Sequence, residues 1–172
     1  EFKSILSLVP GIYKQEFDKI KTEGTASFNG FVRGEYSDTK MPAYDFNLDV
    51  KDGFFQYPDL PKPVKNIRFG LKASNPDGQP DNAVVQISNG HIEMDKEGFD
   101  FSLLYKNPET VQYIDAVAKG RIDLAQIAQF VKLEEGTKLG GLVHVDAFAK
   151  GSMAAMETGS GAFNAGGFLN IS

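Results

Sequence analysis

Two stretches of strict alternation between apolar and polar residues constrain the fold of this chain most strongly. Apolar side chains occupy every second position in Tyr44–Val50, and Ile67–Ala73 repeats the pattern. A period of two places these side chains on one face of a β-strand and the intervening residues on the other. The segment between them, Tyr57–Pro63, contains three prolines and cannot form a central strand, because each proline removes a backbone donor. The sequence therefore predicts two strands that share an apolar face and are joined by a turn-rich hinge.

Further strands and turns follow along the chain. The strands are predicted at Thr22–Tyr36, Ala83–Ser88, Phe99–Tyr105 and Leu139–Ala147. Gly24, Gly30 and Gly34 dot the first of these, and a glycine inside a strand often marks a bulge or a close backbone approach. Turns are predicted at Lys51–Gly53, Asn75–Gly78 and Lys96–Gly98, and Asn89–Gly90 has the composition of a two-residue hairpin turn.

Helical spacing occurs in short segments only. It is found at Phe2–Val9 and Leu124–Val131, and Val111–Lys119 is interpreted as a helical turn. The tail, Gly151–Ser172, is predicted as a loop or weak helix followed by a short last strand. The fold class predicted from these elements is mainly β, with a curved, mostly antiparallel sheet and short terminal helices. A closed barrel or a two-sheet sandwich is the alternative, since either would cover the apolar face with protein.

Length and composition exclude several classes. With 172 residues, the chain is long enough for one β-rich domain with a sizeable core. A net charge of -5 and the lack of a basic run interleaved with aromatics argue against a nucleic-acid partner. The absence of cysteine excludes disulfides and thiolate metal sites. No apolar run approaches the ~18 residues that a membrane-spanning helix needs. Because the sequence opens on Glu1 and not on Met, we expect a mature form or a piece of a longer protein.

One internal similarity bears on domain organisation. An apolar helical segment precedes Gly24-Thr25 and a glycine-dotted strand, and a second such segment precedes Gly136-Thr137 and another. If this is a repeat, residues 1–123 form one unit and residues 124–172 begin the next, as in an extended array. If it is a coincidence, residues 1–172 are a single β-rich domain.

No residue pattern predicts catalysis. His91-Ile92-Glu93 matches the His-x-Glu of zinc deaminases, but their cysteine ligands are absent, and a polar surface role is favoured for both His91 and His144. Asp77, Asp81 and Asn82 lack calcium-loop spacing and suit turns. The row Asp45, Asn47, Asp49 is interpreted as a solvated outer strand face. We therefore expect a protein that is not an enzyme, with no cofactor and no metal.

The segment Gly53–Val64, which reads Gly-Phe-Phe-Gln-Tyr-Pro-Asp-Leu-Pro-Lys-Pro-Val, resembles a segment of AsmA-like proteins from Bacteroidetes-type bacteria. Asn75-Pro76, Asn107-Pro108 and Lys119–Leu124 fit the same family pattern, so that the resemblance covers roughly Gly24 to Gly151. It implies a large envelope protein with an N-terminal inner-membrane helix, which this chain lacks, and a long β-rich periplasmic body. The wider family is linked to outer-membrane assembly and to phospholipid transport along a β groove.

The residues and the resemblance together suggest a candidate site. A curved sheet that is left open would present its apolar side chains to lipid acyl chains; the row comprises Phe46, Leu48, Phe69, Leu71, Phe99, Phe101 and Leu103. Its partners would be phospholipid or other lipids, other segments of the full-length protein and envelope proteins, without nucleic acid. The alternative is a scaffold or protein-interaction β domain of the envelope that binds protein and never lipid.

Overall fold

The structure is a computed structural model that describes residues 21–37, 41–56, 62–127 and 140–171. These residues form one antiparallel sheet of eight strands in which each strand pairs with its neighbours in sequence. The strands are β1 (Lys21–Arg33), β2 (Ala43–Gln56), β3 (Val64–Asn75), β4 (Val84–Met94), β5 (Glu97–Lys106), β6 (Tyr113–Asp123), β7 (Leu142–Ser152) and β8 (Phe163–Ile171). Helices are few: a 3-10 turn at Pro80–Asn82, α1 (Leu124–Ile127) and α2 (Met153–Thr158).

The predicted fold class is confirmed as mainly β and antiparallel, and the two alternatives are wrong. The sheet is not closed into a barrel, because β1 and β8 lie at its two edges and, among the described strands, each pairs with one neighbour only. Within the described ranges there is no second sheet, which excludes a sandwich of these strands. The alternating segments pair as expected, with Leu48 opposite Leu71 and Phe46 opposite Ala73. The predicted N-terminal helix and most of the proline hinge lie outside the described residues.

Two predicted turns are instead bulges inside strands. Lys51–Gly53 lies within β2, and Asn89–Gly90 lies within β4, where the pairing register shifts. Asp52 and Asn89 have φ angles of 51° and 52°. Asp and Asn tolerate this left-handed conformation, which a strand bulge requires as well as a tight turn, so composition alone does not separate the two. The two-residue hairpin turn is found a few residues later, at Asp95-Lys96, because Met94 pairs with Glu97.

The prediction of a helical turn at Val111–Lys119 is also wrong. Residues 113–123 form β6, which pairs along its length with β7 and over residues 113–120 with β5. The alternation of this strand was hidden because its apolar face carries Ala116 and Ala118, small residues that favour helices as isolated chain. Pairing on both sides outweighs that weak preference. The tail prediction is confirmed in outline, since α2 is followed by the nine-residue strand β8.

Side-chain caps hold the loops at one end of the sheet. Asn75, fully buried, accepts hydrogen bonds from the backbone N–H of Gly78 at 2.8 Å and of Asp77 at 3.3 Å, and donates to the Gln79 carbonyl at 2.9 Å. This confirms the predicted turn after β3. It also agrees with the interpretation that the Asp and Asn residues of this loop serve turn geometry.

A second cap ties that loop to the one between β5 and β6. Asp81 accepts hydrogen bonds from the backbone N–H groups of Glu109 and Thr110, both at 3.0 Å, and from the Thr110 hydroxyl at 2.7 Å. The hydroxyl bond contributes most to lowering the pKa of Asp81 below its ordinary value, followed among the hydrogen bonds by those from the two backbone groups. Both loops are therefore fastened by one carboxylate.

Asn75→Ala is expected to lower the free energy of unfolding by about 1–3 kcal/mol, because it removes a fully buried side chain whose amide oxygen accepts from the half-buried N–H of Gly78. Urea denaturation followed by circular dichroism measures the change. The control is Asn164→Ala on an exposed strand, expected to stay within about 0.5 kcal/mol of the parent. Equal losses in the two variants would contradict the capping role.

The Asp81 cap is expected to make stability depend on acid. Because folding lowers the pKa of this carboxyl, its contribution is complete above the ordinary value of 3.8 and disappears as the pH falls through the lower folded value. Asp81→Asn should therefore show a smaller decrease in urea midpoint over that acid range than the parent chain. Glu157→Gln, at an exposed position of α2, should keep the parental pH profile. Parallel profiles for the parent and Asp81→Asn would refute the cap.

Candidate functional site

The sheet separates its side chains into two faces of opposite chemistry. Residues directly opposite each other in an antiparallel pair point to the same side, so the register assigns every strand residue to a face. Leu48 pairs with Leu71, Leu71 with Ile87, and Ile87 with Leu103. All seven residues of the predicted lipid-binding row therefore lie on one side of the sheet, which we call the apolar face. Whether they contact lipid is a separate question, and that remains a prediction.

The apolar face runs from one edge of the sheet to the other. Its members on β1–β5 include Ala26, Phe28, Val32, Tyr44, Phe46, Leu48, Val50, Phe69, Leu71, Ala73, Val85, Ile87, Ile92, Phe99, Phe101, Leu103 and Tyr105. On β6–β8 they are Ile114, Ala116, Ala118, Ile122, Val143, Val145, Ala147, Ala149, Phe163, Ala165, Leu169 and Ile171. Phe55, Val64, Ile67 and Met94 belong to this face as well, and glycines occupy further positions on it. The face thus carries no charged side chain between the strand ends.

Glycines shape this face by letting aromatic rings lie flat across neighbouring strands. Gly30 is opposite Phe46, and a Cβ built on Gly30 would stand 2.6 Å from the Phe46 ring. Gly90 is opposite Phe101, where the corresponding distance is 2.5 Å. Two of the predicted site residues are therefore held in place by the absence of a side chain on the adjacent strand. This accounts for Gly30 as a close approach, whereas Gly24, with φ 109°, lies at a bulge.

The side chains of the apolar face are only partly shielded from solvent. Of the described hydrophobic residues, only Val50 and Met94 are buried, and the seven predicted residues are all of intermediate exposure. Toward the edges exposure increases, to 50% for Phe28 on β1 and 63% for Leu169 on β8. In the part of the chain that the structure describes, α1 lies near β6, and α2 lies near β6 and β8. These short helices are too small to cover eight strands.

The opposite side, which we call the polar face, is laced with cross-strand ion pairs. The Lys119 ammonium lies 2.8 Å from the carboxylate of Asp146, and the Lys150 ammonium 2.6 Å from that of Asp115. Each hydrogen bond raises the pKa of its lysine above the ordinary value. Both pairs join residues directly opposite each other on β6 and β7, which favours the observed register. Such exposed pairs add little stability, and their main effect is to keep this face in water.

The two histidines and the acidic row belong to the polar face. His91 Nδ1 lies 2.7 Å from Asp100 Oδ1, and its Nε2 lies 3.5 Å from Glu93 Oε1. His144 contacts the Phe168 ring edge-on, at 4.8 Å between centroids. In the row Asp45, Asn47, Asp49, the outer carboxylates pair with Lys72 and Lys51. This placement confirms that the row faces outward.

Two further results concern the described ranges. No group of three or more His, Asp and Glu side chains in them is arranged to hold a metal ion. None of the helices they contain is both long and apolar enough to cross a membrane.

Sequence reasoning missed half of the apolar face. The predicted row came from β2, β3 and β5, whereas β4 contributes Ile87 and Ile92 and β6–β8 contribute a smooth region of small side chains. That region is built from Ala116, Ala118, Ala147, Ala149, Ala165 and Gly167. The predicted strand Leu139–Ala147 already carries the alternation of Val143, Val145 and Ala147. A period-two scan that counts alanine and glycine as apolar would have extended it to Ala149 and found the same pattern at Ala116 and Ala118.

Comparison with known proteins adds no relative. A scan against protein-family models, a search of curated proteins and a search of solved structures each found no match to this chain. The function must therefore be argued from the two faces themselves. Chemically, the apolar face can exclude water and hold hydrocarbon, while the polar face keeps the opposite surface hydrated.

Proposed function

We propose that this chain is a periplasmic β-groove module of an AsmA-like protein and that it takes part in outer-membrane biogenesis by binding or conducting lipid acyl chains. On this proposal the module belongs to a longer protein that is held by an inner-membrane anchor. Its partners are phospholipid or other lipids, further segments of the same protein and envelope proteins. The observation that carries the proposal is the apolar face, which is continuous across eight strands and free of charge between the strand ends.

The size of this face supports an interaction role. With strands about 4.8 Å apart and a rise of about 3.3 Å per residue, a sheet of eight strands measures roughly 34 Å by 30 Å or more, on the order of 1,000 Å². Monomeric soluble proteins rarely expose contiguous apolar patches above a few hundred Å². A face this large therefore points to an occupant that the described residues do not supply.

The chemistry of the face favours hydrocarbon over a protein surface as that occupant. A protein interface typically carries about one hydrogen bond per 100–200 Å². Here the backbone groups of the central strands are committed to the ladder. Among the described residues, the side chains of this face offer two tyrosine hydroxyls, on Tyr44 and Tyr105, and otherwise polar groups at the strand ends only, on Thr22, Asn75 and Glu97. A protein partner would leave its own polar groups unpaired against this surface, at a cost for each. An acyl chain has no polar groups to satisfy.

The dimensions also fit acyl chains. One leaflet of a bilayer is half of a hydrocarbon core about 30 Å thick, so an extended acyl chain needs roughly 15 Å. Strands of nine to 14 residues are about 30–45 Å long and could hold a chain anywhere along their length. On the apolar face the side chains of β6–β8 are small, whereas many of those on β1–β5 are bulky. This difference in height leaves room for an acyl chain over β6–β8, beside the larger side chains. Since no Arg or Lys lies on the face, we expect no selectivity among head groups.

Photo-crosslinking tests the proposal directly. A photoreactive phenylalanine analogue is placed at Phe46, Phe69, Phe99 or Phe101, the folded chain is incubated with labelled phospholipid vesicles, and adducts are detected by mass spectrometry. We expect adducts from these positions and none from matched polar-face positions, for which Asn47 and Ser102 serve. Native mass spectrometry of the freshly purified chain should show co-purified phospholipid as well.

A charge on the apolar face should reduce lipid capture. Leu71→Glu places a carboxylate beside hydrocarbon, where burial is costly, whereas Gln86→Glu adds the same group to the polar face of the adjacent strand. Lipid recovered per folded chain should fall at least about tenfold in the first variant, which corresponds to about 1.4 kcal/mol, and stay unchanged in the second. If the folded photoreactive chains without the added charge give no lipid adduct from any position, or crosslink to protein there instead, the scaffold alternative is correct.

A further inference from the structure

The polar face contains a depression over β1–β4 that is lined mainly by uncharged polar side chains. It has a volume of about 290 Å³, and Gly70 of β3 is part of its lining. Gly70 lies between Asp49 of β2 and Ser88 of β4, so the side chain that it lacks leaves a hollow between them. A Cβ built on Gly70 would stand 2.8 Å from the Ser88 hydroxyl oxygen and would fill part of that hollow.

Two rows of residues, each crossing four strands, form the lining. Within a row each residue lies directly opposite the next one, and the two rows are one pleat apart. With strands about 4.8 Å apart, each row is roughly 14 Å long. In order from β1 to β4, the rows are Asn29, Asn47, Lys72 and Gln86, and Ser27, Asp49, Gly70 and Ser88. We call this lining the polar depression.

Much of the hydrogen-bonding capacity of the polar depression is unused within the described residues. Asn47 Nδ2 donates to Asn29 Oδ1 at 3.3 Å, which leaves the amide nitrogen of Asn29 and the amide oxygen of Asn47 unengaged there. The side chains of Gln86 and Ser27 make no hydrogen bond to another described residue. An amide offers two donors and an acceptor, and a hydroxyl both donates and accepts. Donors and acceptors therefore stand side by side along the rows.

The charges of the polar depression are paired with neighbours. The Asp49 carboxylate lies 3.2 Å from the Lys51 ammonium, and the Lys72 ammonium lies 3.5 Å from the Asp45 carboxylate. An ionic ligand gains most from an oppositely charged group that it can neutralise. Since both charged residues of the lining already have such partners, the arrangement favours an uncharged ligand.

An exposed aromatic ring stands beside the polar depression on β1. Phe31 lies two residues beyond Asn29 on the same face of the sheet and is 51% exposed. The Arg33 guanidinium lies 5.7 Å from the centroid of its ring. The face of an aromatic ring is apolar and carries partial negative charge, which attracts C–H groups. An aromatic ring next to a row of amides suits a molecule that has both hydroxyl groups and C–H faces.

We propose that the polar depression, with Phe31 beside it, binds a neutral oligosaccharide. Each sugar ring carries hydroxyl groups that donate and accept, which match the amides of Asn29, Asn47 and Gln86 and the serine hydroxyls. Its C–H face matches the ring of Phe31. The length of the rows allows a short oligosaccharide to lie across β1–β4. The proposal concerns the polar face alone and holds whatever occupies the apolar face.

Nuclear magnetic resonance of the side-chain amide groups tests this site. The isotopically labelled chain is titrated with maltotriose and, separately, with chitotriose. At least one of them should shift the signals of Asn29, Asn47 and Gln86 in a saturable way, with a Kd on the order of 1 mM, because an open site desolvates few groups. Asn164 and Asn170 lie on the polar face of β8 and should not shift.

A glycine pair tests the hollow. Gly70→Ala places a methyl group in it, next to a serine hydroxyl that can rotate away, so we expect the chain to fold and the affinity to fall at least about tenfold. Gly98→Ala is the control on the polar face, because a Cβ there meets no atom closer than His91 Cε1 at 3.5 Å. It should bind like the parent.

A phenylalanine pair tests the aromatic ring. Phe31→Ala should weaken binding by about two- to tenfold, the range expected for one aromatic contact. Phe28, on the same strand, is 50% exposed but belongs to the apolar face. Phe28→Ala should therefore leave the affinity for the sugar unchanged.

The same chemistry occurs in free oligosaccharides and in insoluble glycans, which co-sedimentation separates. The chain is mixed with chitin beads or insoluble starch, with and without the trisaccharide that shifts its signals. Sedimentation that the trisaccharide reverses identifies a polymer as the source, whereas binding of the trisaccharide without sedimentation identifies a free oligosaccharide. Three results would overturn the proposal: no saturable shift with either trisaccharide, equal shifts at Asn164 and Asn170, or parental affinity in Gly70→Ala.

Discussion

Backbone pairing between neighbouring strands is the interaction on which this structure depends. In the described part of the chain, only Val50 and Met94 are buried hydrophobic residues, so no interior core comparable to that of a two-layer domain holds the strands together. Instead each strand is fixed by its ladder and by side-chain pairs on both faces, each worth roughly 0.2–1 kcal/mol. Because the sequence alternates, pairing brings the apolar side chains of all strands to one side of the sheet. The apolar area that must be shielded from water therefore grows with every strand that is added.

The strands could be predicted from the sequence, whereas their interruptions could not. Where large side chains alternate with polar ones, as in β2 and β3, a period of two is compatible with a strand only. It also predicts correctly that Phe46 and Phe69 lie on the same face of the sheet. Asp52 and Asn89 were placed in turns because the left-handed conformation that they adopt suits both a turn and a bulge. Only the partner strand, which continues past them, distinguishes the two. Val111–Lys119, which holds most of β6, was taken for a helical turn because alanine carries too little volume to show the alternation.

The candidate site, too, could be predicted in part only. The seven residues named from sequence share the apolar face because they come from three strands with a strong pattern. The contribution of β4 and the smooth floor of β6–β8 depend on register, which no local pattern specifies. More than twenty further positions join the same face because of the meander: each hairpin turns the chain back without changing which residues point to which side. An open sheet built in this way has two needs that a barrel or sandwich meets internally, namely cover for one face and partners for two edges. In our account, hydrocarbon covers the apolar face.

The most direct test of the central claim is to ask which methyl groups touch acyl chains in solution. The chain is deuterated and its leucine methyl groups are labelled, and intermolecular nuclear Overhauser effects to the methylene protons of a short-chain phospholipid are recorded. Leu71 and Leu103 lie on the apolar face, and Leu104 on the polar face provides an internal control one residue away. The account predicts effects to Leu71 and Leu103 and none to Leu104. Equal effects at all three, or none at Leu71 and Leu103 in folded chain with lipid present, would contradict it.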